Sequence, residues 1–518
     1  MYKLFLTLRY LRKRRIAIFA VISVWLCVAM VVIVISVMGG FLDTLKERSR
    51  GLLSDIVIDN RTLVGFGFYQ EFIEHLKRAI PDQIAAATPV IYNYGIIRVA
   101  GESYTKMVRV VGIRLKEYEQ VNDFSNSLYY DKYYPGTTTL GPQLQPFAGF
   151  SREGMVALPP DHEAAFKRFA RDHPEAHGFE SVGSIKPGKF AFSETGLPGY
   201  FDEEGDQAPG VIVGCSILNE RNEVGEYVRI YPRGTKLLLT VLPLKRSGGL
   251  SAERAITAVV RMADDSLTRV YEIDNLCVYV DFDLLQEWLA MTPAELEEGG
   301  FAPARTSQVL VSLPDGADLE EGRARIEAEW KRFLSNLDVP ILSTDASLLG
   351  YVTVETWEER QVQFIRAVEK EKILVTLLFS VISLVAVVLI GCIFWMIVNQ
   401  KTRDIGIIKS VGASPIGIAM VFVGFGAAVG VLGAVLGGSS GAVFVWYIND
   451  IQDALVRLHP QLRVWSPDVY TFERIPNVVK WHEVAWIAAV AVVASVLGAL
   501  IPAVIAGRVW PAEALRYE

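Results

Sequence analysis

The chain is 518 residues long and 51% apolar, with a formal net charge of −7 and a mean hydropathy of +0.29. An apolar half is ordinary for soluble domains, so the fraction alone decides little. No basic stripe and no interleaving of cations with aromatic residues points to nucleic acid, and four cysteines are too few for a disulfide scaffold.

The chain opens on a basic cluster of Lys3, Arg9, Arg12, Lys13, Arg14 and Arg15. Ile16–Met38 follows without a charged side chain, and Ile373–Val398, Ile416–Ile448 and Val484–Gly507 are three more such runs. Each exceeds the ~20 residues a helix needs to cross a bilayer core. Backbone polar groups cannot stay unpaired in lipid, so all four are expected to be helices. Gly39, Gly40, Phe41 and Leu42 follow the first run in place of a small-residue cleavage site, so a retained anchor is expected. The positive-inside rule puts the N-terminal cluster in the cytoplasm, and four crossings return the C-terminus there. The outer loop also carries Arg457, Arg463, Arg474 and Lys480, but less densely.

The expected fold is therefore membrane α-helical, with four transmembrane helices and a large α+β extracytoplasmic domain inserted between helices 1 and 2. In order it has a cytoplasmic N-terminus (1–15), a span (16–38), the domain with its stalk helices (39–372) and a second span (373–398). A cytoplasmic loop (399–415), a third span (416–448), an outer loop (449–483), a fourth span (484–507) and a cytoplasmic tail (508–518) follow.

Within the domain, Asp55–Asp59, Ile96–Val99, Thr105–Gly112, Tyr227–Tyr231, Lys236–Leu242 and Asn275–Val280 read as strands, and Tyr69–Ala79, Asp283–Ala290 and Leu319–Phe333 as helices. The stretch from about Leu115 to Gly210 is rich in Tyr, Pro, Gly and charge and is expected to contain long loops on the outer surface. Phe41–Leu53 and Thr356–Lys372 fit amphipathic helices continuing the first two spans outward, either as rods that transmit motion or as caps on the domain. Cys215 and Cys277 would pair in an oxidising compartment or remain small buried thiols.

Two motifs look chemical. Gly183–Lys189 (GSIKPGK) begins like a phosphate-binding loop, but Phe190 stands where Ser or Thr should hold magnesium. His162, His173 and His177 lie near Glu163 and Glu175, yet HPEAH is not HExxH and Pro174 restricts the helix, so no metal site is expected. No catalytic set stands out, and the chain is not expected to be an enzyme.

Lys401–Pro415 (KTRDIGIIKSVGASP) parses as a short helix with its own signals. Thr402 is the expected N-cap, Asp404 and Lys409 suit the two ends of the helix dipole, Gly412 suits a left-handed C′ position, and Pro415 blocks continuation. Ile405, Ile408 and Val411 form an apolar stripe. The physics alone fits either docking on a soluble partner or packing on lipid headgroups.

Thr356–Ser414, with its KTRDIGIIKSVGAS core, resembles the permeases of the LolC/LolE lipoprotein-releasing type within the FtsX/MacB-like superfamily. Arg9–Arg15, Ile35–Phe41, Pro502–Ala506 and Pro511–Glu518 (PAEALRYE) fit the same pattern. The resemblance implies an ABC transporter permease whose inner loop is a coupling helix for a separate cytoplasmic ATPase subunit. It assigns that contact to Lys401, Thr402, Arg403, Asp404, Ile405, Ile408, Lys409, Val411, Gly412, Ala413 and Ser414. ATP and magnesium would bind the partner, with no cofactor in this chain. It further implies a second permease copy or paralogue, a lipoprotein or other lipid-linked cargo, a periplasmic carrier, contact with membrane lipids, no nucleic acid, and a bacterial inner-membrane location. An efflux permease of MacB type and an FtsX-type regulator of a cell-wall hydrolase are the alternatives.

Gly426, Gly430, Gly433, Gly437 and Gly441 recur at spacings of four and three, a smooth face for close helix approach within the chain or between subunits. No charged residue lies in any span, which suits an amphiphilic cargo better than an ion path.

Overall fold

A computed structural model of the chain describes residues 15–52, 54–134, 138, 158–172, 190–191, 199–201, 207–221, 227–244, 255–296, 300–337, 348–459, 465 and 474–510. In chain order, helix α1 (Arg15–Leu52) is followed by β1 (Ile56–Asp59), α2 (Tyr69–Ala79), β2 (Ala86–Val99), β3 (Thr105–Ile113), α3 (Leu115–Val121) and α4 (Pro160–Asp172). Strands β4 (Gln207–Gly214), β5 (Lys236–Val241), β6 (Ile256–Ser266), β7 (Cys277–Asp281) and β8 (Gln308–Ser312) come next, then α5 (Leu319–Ser335) and β9 (Thr353–Thr356). The remainder is helical: α6 (Val362–Gln400), α7 (Thr402–Ser410), α8 (Pro415–Trp446), α9 (Ile448–Leu458) and α10 (Trp481–Arg508). Contacts divide the chain into two compact units, one holding the four long helices and one holding the strands.

Four stretches are long and apolar enough to cross a membrane: Ile18–Thr44, Ile365–Gln400, Pro415–Trp446 and Trp481–Arg508. Each has a charge-free core that is apolar all round rather than amphipathic, as a helix surrounded by lipid and other helices requires, with its charged residues confined to the ends.

In the strand unit β2 is the hub. Ala86–Val90 pairs with β8, Ile91–Arg98 with β3, and Gly95–Val99 with β5, all antiparallel. The pairings run β2–β3–β7–β4–β6–β5 and return to β2, so six strands close into a barrel, while β8, β1 and β9 extend a sheet from the first half of β2. Closure removes the free edges that would invite another strand. The second half of β2 alternates buried and exposed residues with period two. Ile97, Val110, Val213, Leu239, Val260 and Val278, one from each barrel strand, are fully or almost fully buried in one cluster. On the opposite face of β3, β4 and β7, Val111, Ile212 and Tyr279 cluster with Tyr118 of α3 and Phe124 of the turn after it. Gly95 sits at a crowded crossing, where a Cβ would lie 2.6 Å from the Thr240 carbonyl oxygen.

The end of β6 carries charge into the interior. Arg229 Nε donates to Asp265 at 2.6 Å, and the Arg229 guanidinium lies 3.3 Å from the centre of the Tyr129 ring. Asp264 accepts from the Tyr130 and Asp131 backbone N–H groups, and burial pushes its carboxyl up to about 6 despite the nearby Arg233. Removing one partner of such a buried pair strands the other charge, so these groups hold the neighbouring segments to β6. His162 on α4 is buried here, bonded to the Arg229 carbonyl, with Tyr130 Oη at 3.4 Å from Nδ1.

The structure refines several expectations. Leu115–Gly210 also contains regular elements, among them α3 and α4. Thr356–Lys372 is not one helix. Thr356 ends β9 and caps a single turn, Trp357–Arg360, in a capping box with Glu359, and α6 begins only at Val362. Of the two states open to Cys215 and Cys277, the structure has the buried free thiols. The segment expected as a loop between the third and fourth long helices holds α9. Residues 183–189, His173 and His177 lie outside the described residues.

On α3, burial and then the Asp131 carboxylate push Glu119 up to about 7. A folded pKa above the unfolded value of about 4.3 means that the ionised form opposes folding, so this site loses stability as pH rises through 7. Glu119→Gln should therefore raise the unfolding temperature at pH 8 by about 2 °C and leave it nearly unchanged at pH 5. Paired thermal melts of the two proteins measure this.

Candidate functional site

Helix α7 joins the second and third long helices. Thr402 does not cap it: Oγ1 turns back and donates to the Val398 and Asn399 carbonyls at 3.1 and 3.0 Å, completing the end of α6. Lys401 occupies the cap position without a side-chain cap and pairs instead with Asp404 in the first turn. The C-terminus is a Schellman motif. Gly412 has φ +104°, Ala413 N–H donates to Ile408 O at 3.2 Å, and Gly412 N–H donates to Lys409 O at 3.0 Å. Ser414 then caps α8 by accepting from Gly417 N–H at 3.1 Å, with Pro415 at the first helical position. The sharp reversal is thus fixed at both helix ends by backbone geometry.

The apolar stripe expected at Ile405, Ile408 and Val411 is divided. Ile405 is 4% exposed and belongs to a buried cluster with Phe394, Ile397, Ile418 and Ala503, whereas Val411 is 85% exposed. Ile408 and Ala413 are half-buried. The outward face carries Arg403, Ile407, Ser410 and Val411, continued by Gly412 and Ser414. Ile407, 47% exposed, was missed by the sequence reading. The signal for it is spacing, because Arg403, Ile407 and Val411 recur every four residues on the side opposite Ile405.

Lys409 turns inward. Its Nζ donates to the carbonyls of Gly507 at 2.8 Å and Val509 at 2.7 Å, at the C-terminal end of α10. A cation there satisfies carbonyls with no helical partner and opposes the negative end of the helix dipole. Beside it, a Cβ on Gly507 would meet the Pro415 carbonyl at 2.8 Å. Lys409 therefore ties α7 to α10.

The glycines of α8 lie against this chain's own helices. A Cβ on Gly426 would stand 2.6 Å from Ala499 Cβ, and one on Gly430 2.9 Å from Ser495 Cβ, both on α10. On Gly433 and Gly437 it would stand 2.6 Å from the Cβ atoms of Val24 and Val28 on α1, and on Gly441 3.0 Å from the Ala29 carbonyl. Trp25 Nε1 adds a hydrogen bond to Ser440 Oγ at 2.8 Å. By contrast α6 leaves Leu374, Leu378, Val381 and Val385 exposed. Val24, Val31, Phe379, Leu384, Val387 and Val490 line an apolar cavity of about 360 Å³ among α1, α6 and α10.

Two outcomes follow from this geometry. Lys409→Met should destabilise the protein by about 1–2 kcal/mol and speed hydrogen exchange in the last turn of α10, read by mass spectrometry in detergent. Gly437→Ala should cost about 1–3 kcal/mol through overpacking. Gly438→Ala, whose Cβ would meet Val484 at an ordinary 3.4 Å, should be nearly neutral in the same melts.

Residues 376–509, which hold most of α6 and all of α7, α8, α9 and α10, match the FtsX-like permease C-terminal family. The lipoprotein-releasing system transmembrane protein LolC of Xylella fastidiosa (strain 9a5c) is 30% identical over 171 residues, 33% of this chain and 41% of that protein. LolC of Neisseria meningitidis serogroup B is 30% identical over 170 residues, 32% of this chain and 40% of that protein. LolE of Haemophilus influenzae is 23% identical over 183 residues, 35% of this chain and 42% of that protein. The chain thus spans less than half the length of these curated relatives. Four long apolar helices indicate a membrane protein, and its residues 376–509 carry the FtsX-like permease match, with likeness to LolC/LolE-type permeases over about a third of the chain.

Proposed function

We propose that this chain is the permease subunit of an ABC transporter that releases lipoproteins or other lipid-linked cargo from the bacterial inner membrane. A separate cytoplasmic ATPase binds ATP and magnesium and grips α7 through Arg403, Ile407 and Val411. Both termini are cytoplasmic, and the strand domain lies outside, where it acts with a second permease copy or paralogue and a carrier for the cargo.

The observation that carries this reading is the construction of α7. It is short, capped at its C-terminus, joined to α6 by one residue and to α8 by a Schellman reversal, and tied to α10 by Lys409. A push on its outward face would reach three long helices at once. Lys409 acts in that transmission rather than in the contact itself. The charge-free runs within the long helices and the apolar cavity support a lipid-bearing cargo over an ion.

Arg403→Glu, Ile407→Asp and Val411→Asp all alter exposed side chains, so the fold should survive. Each should lower the amount of ATPase that co-purifies with the chain by about tenfold, measured after mild detergent extraction. Retention of the ATPase by the triple variant would overturn the assignment.

A further inference from the structure

At the end of the long helices opposite α7, the segment leading into α10 is drawn across α1. Residues 474–480 form no helix or strand, yet Ile475 and Pro476 are buried. Asn449, in the first turn of α9, holds Ile475 by two hydrogen bonds. It accepts from the Ile475 N–H and donates to its carbonyl, both at 3.0 Å. Pro476 rests on Gly40, where a Cβ would lie 3.2 Å from Pro476 Cβ. Asn477 Nδ2 reaches the Trp446 carbonyl at 3.4 Å, at the end of α8. Two ion pairs flank this crossing. Lys480 Nζ lies 2.6 Å from Asp43 Oδ2 of α1, and Lys372 of α6 lies 3.9 Å from Glu483 of α10. A Cβ on Gly39 would stand 3.6 Å from Lys372 Nζ. The strap and the first turn of α10 thus reach all four long helices.

The two ends of the helices are held by different chemistry. At α7 the ties are a Schellman reversal and a lysine on two backbone carbonyls. At the far end they are ion pairs whose side chains are between 26% and 45% exposed. Such pairs are screened by salt and hold little. Helix α1 is also easiest to bend here, because adjacent glycines are the poorest helix formers after proline. A force applied at α7 would therefore part the helices at the far end first.

We propose that residues 474–483 are a clasp. Closed, it holds α1 and α6 against α10; released, it lets their far ends separate while the α7 end stays tied. The clasp stands on the contacts above, and its release by a push on α7 rests on the transport reading.

The first arm of the test needs no ATPase. Hydrogen exchange is followed by mass spectrometry on the full chain in nanodiscs. Lys480→Glu, which faces Asp43, should speed exchange about tenfold at residues 474–483 and around Gly39 and Gly40. Adding Asp43→Lys should restore the slow rate, and exchange at α7 should not change. The second arm uses the chain together with its co-purifying ATPase. Asp43→Cys and Lys480→Cys are bridged by a disulfide-containing bismaleimide in a Cys27→Ser, Cys392→Ser background. Bridging should lower ATP turnover about tenfold relative to the same chain unbridged, and reduction of the linker should restore it. Exchange unaltered by Lys480→Glu, or not rescued by the charge swap, would overturn the clasp. Full turnover in the bridged chain would overturn its release. If no ATPase co-purifies, the transport reading and the release fall together, while the exchange arm still decides the clasp.

Discussion

Helix α8 has no side chain at the points where α1 and α10 cross it, and this close approach organises the membrane unit. Lipid tails are as apolar as leucine, so burial alone does not drive helices together in a bilayer, and contact must come from dispersion and close fit. Gly426 and Gly430 let α10 reach the α8 backbone, while Gly433, Gly437 and Gly441 do the same for α1. The stripe is used up within the chain, so a neighbour would meet side chains such as Leu374 and Val385 of α6, Val435 of α8 or Val493 of α10.

The same economy governs the connection at α7. A helix whose ends are fixed by backbone bonds cannot pivot freely, and Lys409 adds a tie to the far end of α10. Positive charge there serves two ends: it fills orphan carbonyls and shields a dipole terminus that would otherwise face the protein interior. The outward face is left to a few side chains with little internal work, which is what a docking surface requires.

Much of this was legible in the residues. The four runs, the reversal at Gly412 and the glycine periodicity all follow from local chemistry. What was missed is instructive. Only the last residues of β2 were recognised, because Ala86–Val90 is buried on both faces and contains Pro89, so it shows no alternation. Strand β6 was missed because it ends in Asp264, Asp265 and Ser266, which read as a turn until Arg229 and Arg233 are brought beside them by the fold. At α7 the periodicity was visible but not its direction. Which side of the stripe faces inward depends on where α10 ends, and that contact is separated from Lys409 by about a hundred residues. The inward turn of Lys409 was hidden for the same reason.

Strand β2 belongs to two structures at once, the barrel through its second half and the open sheet through its first. A slip of one residue along it would turn the side chains of both inside out together. Neither half can melt or mispair while the other stays native, so this single strand makes the strand unit one cooperative block. An insertion between Ala86 and Val99 would shift both sets of pairings at once, whereas one in a loop would leave them in register.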